Sequence, residues 1–214
     1  MNGRWILAAA ALALAAPALA SADETVRTLT QQLEAANLDE LGLDFPVGEL
    51  IVEAWDRPQV QIEVRLECGH RRDACREAAE AVKLAPSTRG RGLELELEGW
   101  PKHGAKGLEA HVQVYAPRQL VVDAELGVGD LRINGMEGHV RAELGVGDLS
   151  LDLPEAAVAT VSLEAGVGDA SLSTPQKRYK GSGFVGQELR WRKGAGRADV
   201  RAECGVGDVK VALR

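Results

Sequence analysis

Large aromatic side chains are scarce: Phe, Tyr and Trp together make up 4% of the 214 residues. A globule organised around bulky rings is therefore excluded, and thin layers closed by small aliphatic residues are favoured. The histidines, His70, His103, His111 and His139, are scattered, and no pair has the spacing of a two-histidine metal helix. A Gly-x-Ser-x-Gly nucleophile elbow is absent as well. Positive charge is in deficit, with 25 Lys and Arg against 32 Asp and Glu. That balance argues against general binding to nucleic acid or to an anionic membrane.

Beyond the first twenty residues no apolar run approaches the roughly 20 residues that a membrane-spanning helix needs. Those first residues read differently from the rest. Arg4 supplies a positive start, residues 5–16 an apolar run, and Ala18-Leu19-Ala20 a small-x-small cleavage site before Ser21. Residues 1–20 are expected to be a signal peptide, and residues 21–214 one exported domain, periplasmic or secreted. Position 21 is not cysteine, so a lipid anchor there is not expected.

What the chain does have is repetition. Gly-Val-Gly-Asp occurs at Gly127, Gly145, Gly166 and Gly205, with starts 18, 21 and 39 residues apart. A rung of about 20 residues with one missing or rebuilt copy accounts for all three spacings. Val47-Gly-Glu-Leu-Ile-Val52 is an earlier, degenerate copy. After each later copy come an apolar, a polar and an apolar residue, the period of two expected when a strand buries one face. Leu131 and Ile133 should point in, and Arg132 out. A second alternating strand precedes each copy, as in Val140-Arg-Ala-Glu-Leu144 and Val200-Arg-Ala-Glu-Cys204. The glycines permit positive φ or a close backbone approach, so each rung is expected to be strand, glycine corner, strand. The fold class that follows is all-β: a single-domain β-solenoid of stacked rungs, clearest over residues 117–214. Residues 60–67, 93–98 and 108–115 also alternate and are expected to be solenoid strands with longer links.

One segment breaks the pattern. Residues 73–82 have helical spacing, with Ala78, Ala79 and Val82 as a packing stripe, and are expected to cover an edge or one end of the stack. Cys68 and Cys75 flank the start of this helix, and a disulfide is expected in an exported chain. The alternative is a metal site from Cys68, His70 and Cys75, which lacks a fourth ligand. Cys204 occupies the inward position held by Leu126, Leu144 and Ala165 in the other rungs, as a buried small hydrophobe.

The succession Gly48-Glu-Leu-Ile-Val-Glu-Ala-Trp-Asp56, the alternation of residues 60–67, and Val114-Tyr-Ala-Pro117 leading into the Gly-Val-Gly-Asp rungs resembles the bacterial putative-adhesin family. That family is a domain of unknown function with a β-solenoid fold. The resemblance implies an exported or envelope-associated protein and carries no catalytic residues. The Cys-bearing helical segment departs from the family pattern.

Two groups of residues are candidates for chemistry. Asp130, Asp148, Asp169 and Asp208 should lie near one another on successive rungs, with Glu125, Glu143, Glu164 and Glu203 as a second outward column. A calcium-binding roll places one residue between its last Gly and its Asp, whereas here Asp follows Gly directly. A solvated acidic face and a calcium-binding solenoid are the two readings. The 39-residue interval is instead basic, with Lys177, Arg178, Tyr179, Lys180, Arg190, Trp191 and Arg192. Either these form a hairpin that grips an anionic envelope glycan, lipid or protein, or they form a rebuilt rung with Leu189 and Trp191 inward. No cofactor is expected. The functional expectation is a noncatalytic envelope scaffold or adhesin-like binding protein. A glycan-active β-helix enzyme is a further alternative, and it would require acids, a basic group and exposed aromatics clustered in one groove.

Overall fold

The computed structural model describes residues 24–69, 72–101, 107–183, 186–192 and 194–214. The expected signal peptide over residues 1–20 and the candidate ligand His70 lie outside the described residues.

The described residues are mostly strand. The chain runs through β1 (Glu24–Glu34), β2 (Glu40–Trp55) and β3 (Gln59–Cys68), then one helix, α1 (Arg72–Ala81). β4 (Lys83–Arg89), β5 (Gly92–Glu98), β6 (Leu108–Pro117), β7 (Val121–Asn134) and β8 (Val140–Leu153) follow. After a 3-10 turn at Glu155–Ala157 come β9 (Val158–Val167), β10 (Ala170–Ser173) and β11 (Arg178–Lys180). The chain closes with β12 (Gln187–Trp191), β13 (Ala198–Val206) and β14 (Val209–Leu213). All fourteen belong to one mixed sheet.

β7 and β8 show how a repeat folds. They pair parallel and in register from Val122↔Val140 to Asn134↔Asp152. A straight strand of the 14 residues in β7 would run about 46 Å. The link over residues 135–139 reaches only about 20 Å, so β7 has to double back before β8 can start beside it. The bend falls on Gly127-Val-Gly-Asp130. On either side of it the burial alternates: Val122, Ala124 and Leu126 point in before it, Leu131 and Ile133 after it. Each repeat thus has a leading and a trailing half, and both halves feed one continuous core. Burying each of the Val, Leu and Ile side chains among these contributes about 1.5–3 kcal/mol.

Both glycines of the corner are required, for different reasons. A Cβ at Gly145 would stand 2.4 Å from the Gly127 carbonyl oxygen of the next corner. At Gly147 φ is +136°, in the region that favours glycine, and a Cβ would stand 1.8 Å from the Gly129 oxygen. The corners are stacked backbone on backbone.

The repeats do not follow one another across the sheet in sequence order, and the 39-residue interval, where a missing or rebuilt copy is expected, holds the short strands β11 and β12. β13 pairs parallel with both β8 and β9, and β14 with both β8 and β10. The fourth Gly-Val-Gly-Asp copy is inserted between the second and the third. The interval itself makes the outer edge, with β12 antiparallel to β9 and β11 antiparallel to β10. Insertion gives the C-terminal strands hydrogen-bonded neighbours on both sides, where a terminal rung would fray.

The other end is built from the early strands. β5 pairs parallel with the leading half of β2 and β6 with its trailing half, so together they flank both halves of β2. β3, by contrast, runs antiparallel to β6, β1 antiparallel to β3, and β4 antiparallel to β5. Residues 60–67 are therefore an antiparallel strand and not a further parallel rung. Alternation alone is equally compatible with both directions.

α1 packs against β1, β3 and β6 at this end, with Cys75 and Ala79 buried, Ala78 partly buried, and Val82, just past its last residue, buried as well. Arg27 on β1 donates to the carbonyl oxygens of Ala79, Glu80 and Val82, which satisfies the last carbonyls around the helix end. Cys68 and Cys75 form a disulfide with a Cα–Cα distance of 5.9 Å, joining β3 to α1. Cys204 is a free, buried thiol, and burial pushes its pKa up. No helix among the described residues is long and apolar enough to cross a membrane.

Candidate ligand groove

Strand register lines up the outward side chains of the trailing halves in rows that cross the strands. One row reads Arg132, Ser150, Lys210, Ser171 and Lys180, one residue each from β7, β8, β14, β10 and β11. Beside it lies Asn134, Asp152, Ala212, Ser173 and Arg178. The short side chains at Ser150, Ser171, Ser173 and Ala212 leave a trough between the long cationic ones. The resulting open cavity is about 690 Å³, holds the members of both rows except Arg132, which stands beyond its end, and also takes in Asp169, Asp208, Gln187 and Arg214.

Its charges are unevenly engaged. Lys210 Nζ lies 3.0 Å from Asp208 and 3.8 Å from Asp148. The hydrogen bond from Lys210 to Asp208 holds the ammonium above its ordinary pKa. Asp208 is held below the usual carboxylate range, first by the backbone N–H of Asp169 and then by Lys210. Arg214 meets Asp152 at 2.5 Å, and Gln187 donates to Asp169 at 2.8 Å. Arg178 and Lys180 are exposed and have no ion-pair partner among the described residues.

The basic segment is therefore split by the fold. Arg178 and Lys180 line the trough, and Lys177 sits over the Tyr179 ring at 5.2 Å while that ring packs against the core. Arg190, Trp191 and Arg192 go elsewhere, because β12 pairs with β9 in the leading half. Trp191 and Leu189 are buried, Arg192 is exposed, and Arg190 pairs with Glu188 at 3.5 Å. The trough also recruits residues that the sequence does not single out: Ser150, Asp152, Ser171, Ser173, Lys210 and Arg214. Their signal is positional. Arg132, Ser150, Ser171 and Lys210 all stand two residues after the Asp of their repeats.

The four aspartates do come together, in the order Asp130, Asp148, Asp208, Asp169, with Glu49 beyond Asp130. Cations and an amide already occupy them: Arg132 lies 3.1 Å from Asp130, Lys210 serves Asp148 and Asp208, and Gln187 serves Asp169. Among the described residues no group of three or more His, Cys, Asp or Glu is placed to hold a metal ion. Beside this row the valines of the corners, Val128, Val146, Val206 and Val167, stand exposed.

The opposite, leading face carries a longer acidic row than the repeats alone suggest. Glu96, Asp44, Glu125, Glu143, Glu203, Glu164 and Glu188 are consecutive register partners. The carboxylates are thus distributed one per strand, not gathered in a groove with aromatics.

No protein-family model matches the sequence, and no curated protein matches it either. Solved structures do. The chain is similar to the crystal structure of a putative cell adhesion protein from Clostridium sporogenes, at 16% identity and a TM-score of 0.53, over 88% of this chain and 99% of that one. A putative adhesin from Parabacteroides distasonis aligns at 12% identity and a TM-score of 0.25, over 86% and 70% of the two chains. A putative lipid binding protein from the same organism aligns at 10% identity and a TM-score of 0.28, over 86% and 81%. The first of these likenesses establishes a shared all-β fold.

Proposed function

We propose that this chain is an exported, noncatalytic, adhesin-like binding protein whose stacked rungs wind as a β-solenoid and whose trough holds an anionic partner from the cell envelope or its surroundings. The observation that carries this reading is the pair Arg178 and Lys180, exposed and free of ion-pair partners among the described residues at one end of a cavity floored by serines. Cations left unpaired in a concave site are available for charge-assisted hydrogen bonds to a ligand. Export is supported by the leader-like residues 1–20 and by the Cys68–Cys75 disulfide, a bond that persists in oxidising compartments. The absence of catalysis is supported by carboxylates spread along every strand of the leading face. The name of the Clostridium sporogenes structure, a putative cell adhesion protein, points in the same direction.

The test is a pull-down from envelope extracts with two variants. Replacing Arg178, Lys180 and Lys210 together by Ser should release the partner. Replacing Arg190 and Arg192 by Ser, on the other face, should leave it bound. Equal recovery with both would overturn the trough as the binding site.

A further inference from the structure

We infer that the trough takes one extended acidic saccharide chain whose negative charges are separated by neutral sugars, lying across the strands along the row from Lys180 to Ser150 and leaving the cavity towards Arg132. This rests on the trough being the binding site and names its ligand.

The row alternates in chemistry with each strand: Lys180, Ser171, Lys210, Ser150, Arg132. Adjacent strands lie about 4.8 Å apart, so the cations recur at about 10 Å with a hydroxyl between each pair. A ligand matching this row needs a negative charge at alternate positions and hydrogen-bonding groups between them, as a chain of alternating acidic and neutral sugars provides. The adjacent row adds the Asn134 amide and the Ser173 hydroxyl, which both donate and accept hydrogen bonds.

Denser polyanions fit poorly. Asp152, Asp169 and Asp208 line the same cavity as Arg178, Lys180, Lys210 and Arg214, so its net charge is only slightly positive. A polymer charged at every unit would bring its charges against those carboxylates. Single-stranded nucleic acid binds on aromatic stacking platforms, and no aromatic side chain lines the cavity. An anionic bilayer would meet the aspartate row and the exposed corner valines together, and the carboxylates would repel its headgroups.

The row also has a direction. Lys180 has no ion-pair partner among the described residues, Lys210 is shared with Asp208 and Asp148, and Arg132 is engaged by Glu49 and Asp130. Ligand carboxylates should therefore be held most strongly at Lys180 and least at Arg132.

Calorimetric titration of the purified exported chain decides the matter with five probes: hyaluronan oligosaccharides, oligogalacturonate, neutral dextran oligosaccharides, inorganic tripolyphosphate and phosphatidylglycerol vesicles. Hyaluronan, with its alternating uronate and neutral sugar, should bind more tightly than the other four. Lys180→Ser with Lys210→Ser should weaken it about tenfold or more, and so should Ser171→Asp, which places a carboxylate between two cations. Lys180→Arg should retain binding, Arg132→Ser should cost less than Lys180→Ser, and the melting temperature of Lys180→Ser, which breaks no ion pair among the described residues, should not change. Tighter binding of oligogalacturonate, tripolyphosphate or vesicles, or indifference to the variants, would overturn the inference. Should hyaluronan fail to bind while the Arg178, Lys180, Lys210 variant still loses its envelope partner, the saccharide assignment falls and the trough stands. If neither changes, both fall.

Discussion

The two outer faces of one repeat carry opposite designs. On the leading face the row Glu96, Asp44, Glu125, Glu143, Glu203, Glu164, Glu188 presents a carboxylate at every strand. On the trailing face the row Arg132, Ser150, Lys210, Ser171, Lys180 changes residue from strand to strand. Neither row is constrained by packing, because both point away from the core. A row that repeats one charge presents the same field at each step and cannot fix a ligand's register. A row that alternates can. The first face also carries its own compensation: Arg141 meets Glu143 at 2.6 Å, Arg201 pairs with Glu203, and Arg190 lies 3.5 Å from Glu188. On the proposed function the leading face is a solvated surface and the trailing face the recognition surface.

The most severe way to break this contrast is to remove the corner that separates the faces. Gly207 has φ +137°, and a Cβ there would stand 1.7 Å from the Gly147 carbonyl oxygen, backbone that cannot yield without moving the neighbouring rung. Gly207→Ala should cost about 3 kcal/mol or more, measured by urea unfolding. A variant as stable as the parent would mean that the corner does not need its glycine. Reducing the Cys68–Cys75 disulfide comes next. Closing a loop of that size stabilises by about 2.5 kcal/mol on the chain-entropy estimate. The bond lies at the far end from the trough, so reduction should lower the melting temperature and leave trough binding intact. Loss of binding would show that the two ends are coupled.

Much of this arrangement is legible in the sequence, for a definite reason. The inward and outward phase, the corners and the acidic column at Glu125, Glu143, Glu164 and Glu203 all follow from periods of two and of about 20 residues, which are local properties of the chain. The order of the repeats across the sheet is not local. Val200-Arg-Ala-Glu matches Val140-Arg-Ala-Glu residue for residue, and nothing in either states which neighbours it will have. Only the insertion of β13 and β14 brings Lys210 between Ser150 and Ser171. For the same reason Arg178 and Arg190, close in sequence and alike in charge, end on opposite faces.

A smaller effect tests the leading face alone. Glu125 and Glu164 have no cationic partner among the described residues, and Glu125 stands between Asp44 and Glu143. Like charges directly opposite one another destabilise a sheet, so Glu125→Thr should stabilise by about 0.5 kcal/mol at low salt and by less as salt screens the row. A loss of stability would mean that the row holds something, such as a cation, that compensates it.

The finest test uses pH, because one carboxylate on each face is shifted, in opposite directions. Asp208, on the trailing side, lies below its ordinary value of 3.8 through the Asp169 N–H and Lys210. Its depressed pKa contributes stability that is present above the unfolded value and lost as pH falls through the folded one. Asp123, on the leading side, lies above 3.8 because burial raises it, with Arg141 opposing and Glu143 adding to the shift. There the ionised form is disfavoured in the fold, a penalty present above the folded pKa and relieved as pH falls towards the unfolded value. At about pH 7 Asp208→Asn should be less stable than the parent and Asp123→Asn more stable, each by about 0.3 kcal/mol after allowing for solvent screening. Both differences should shrink in urea titrations taken below pH 3.8, that of Asp123 as pH falls towards the unfolded value and that of Asp208 only as pH falls on through its lowered folded value. The contrast between the faces survives only if the two variants start on opposite sides of the parent, since a common sign at neutral pH would mean that the faces share one electrostatic environment.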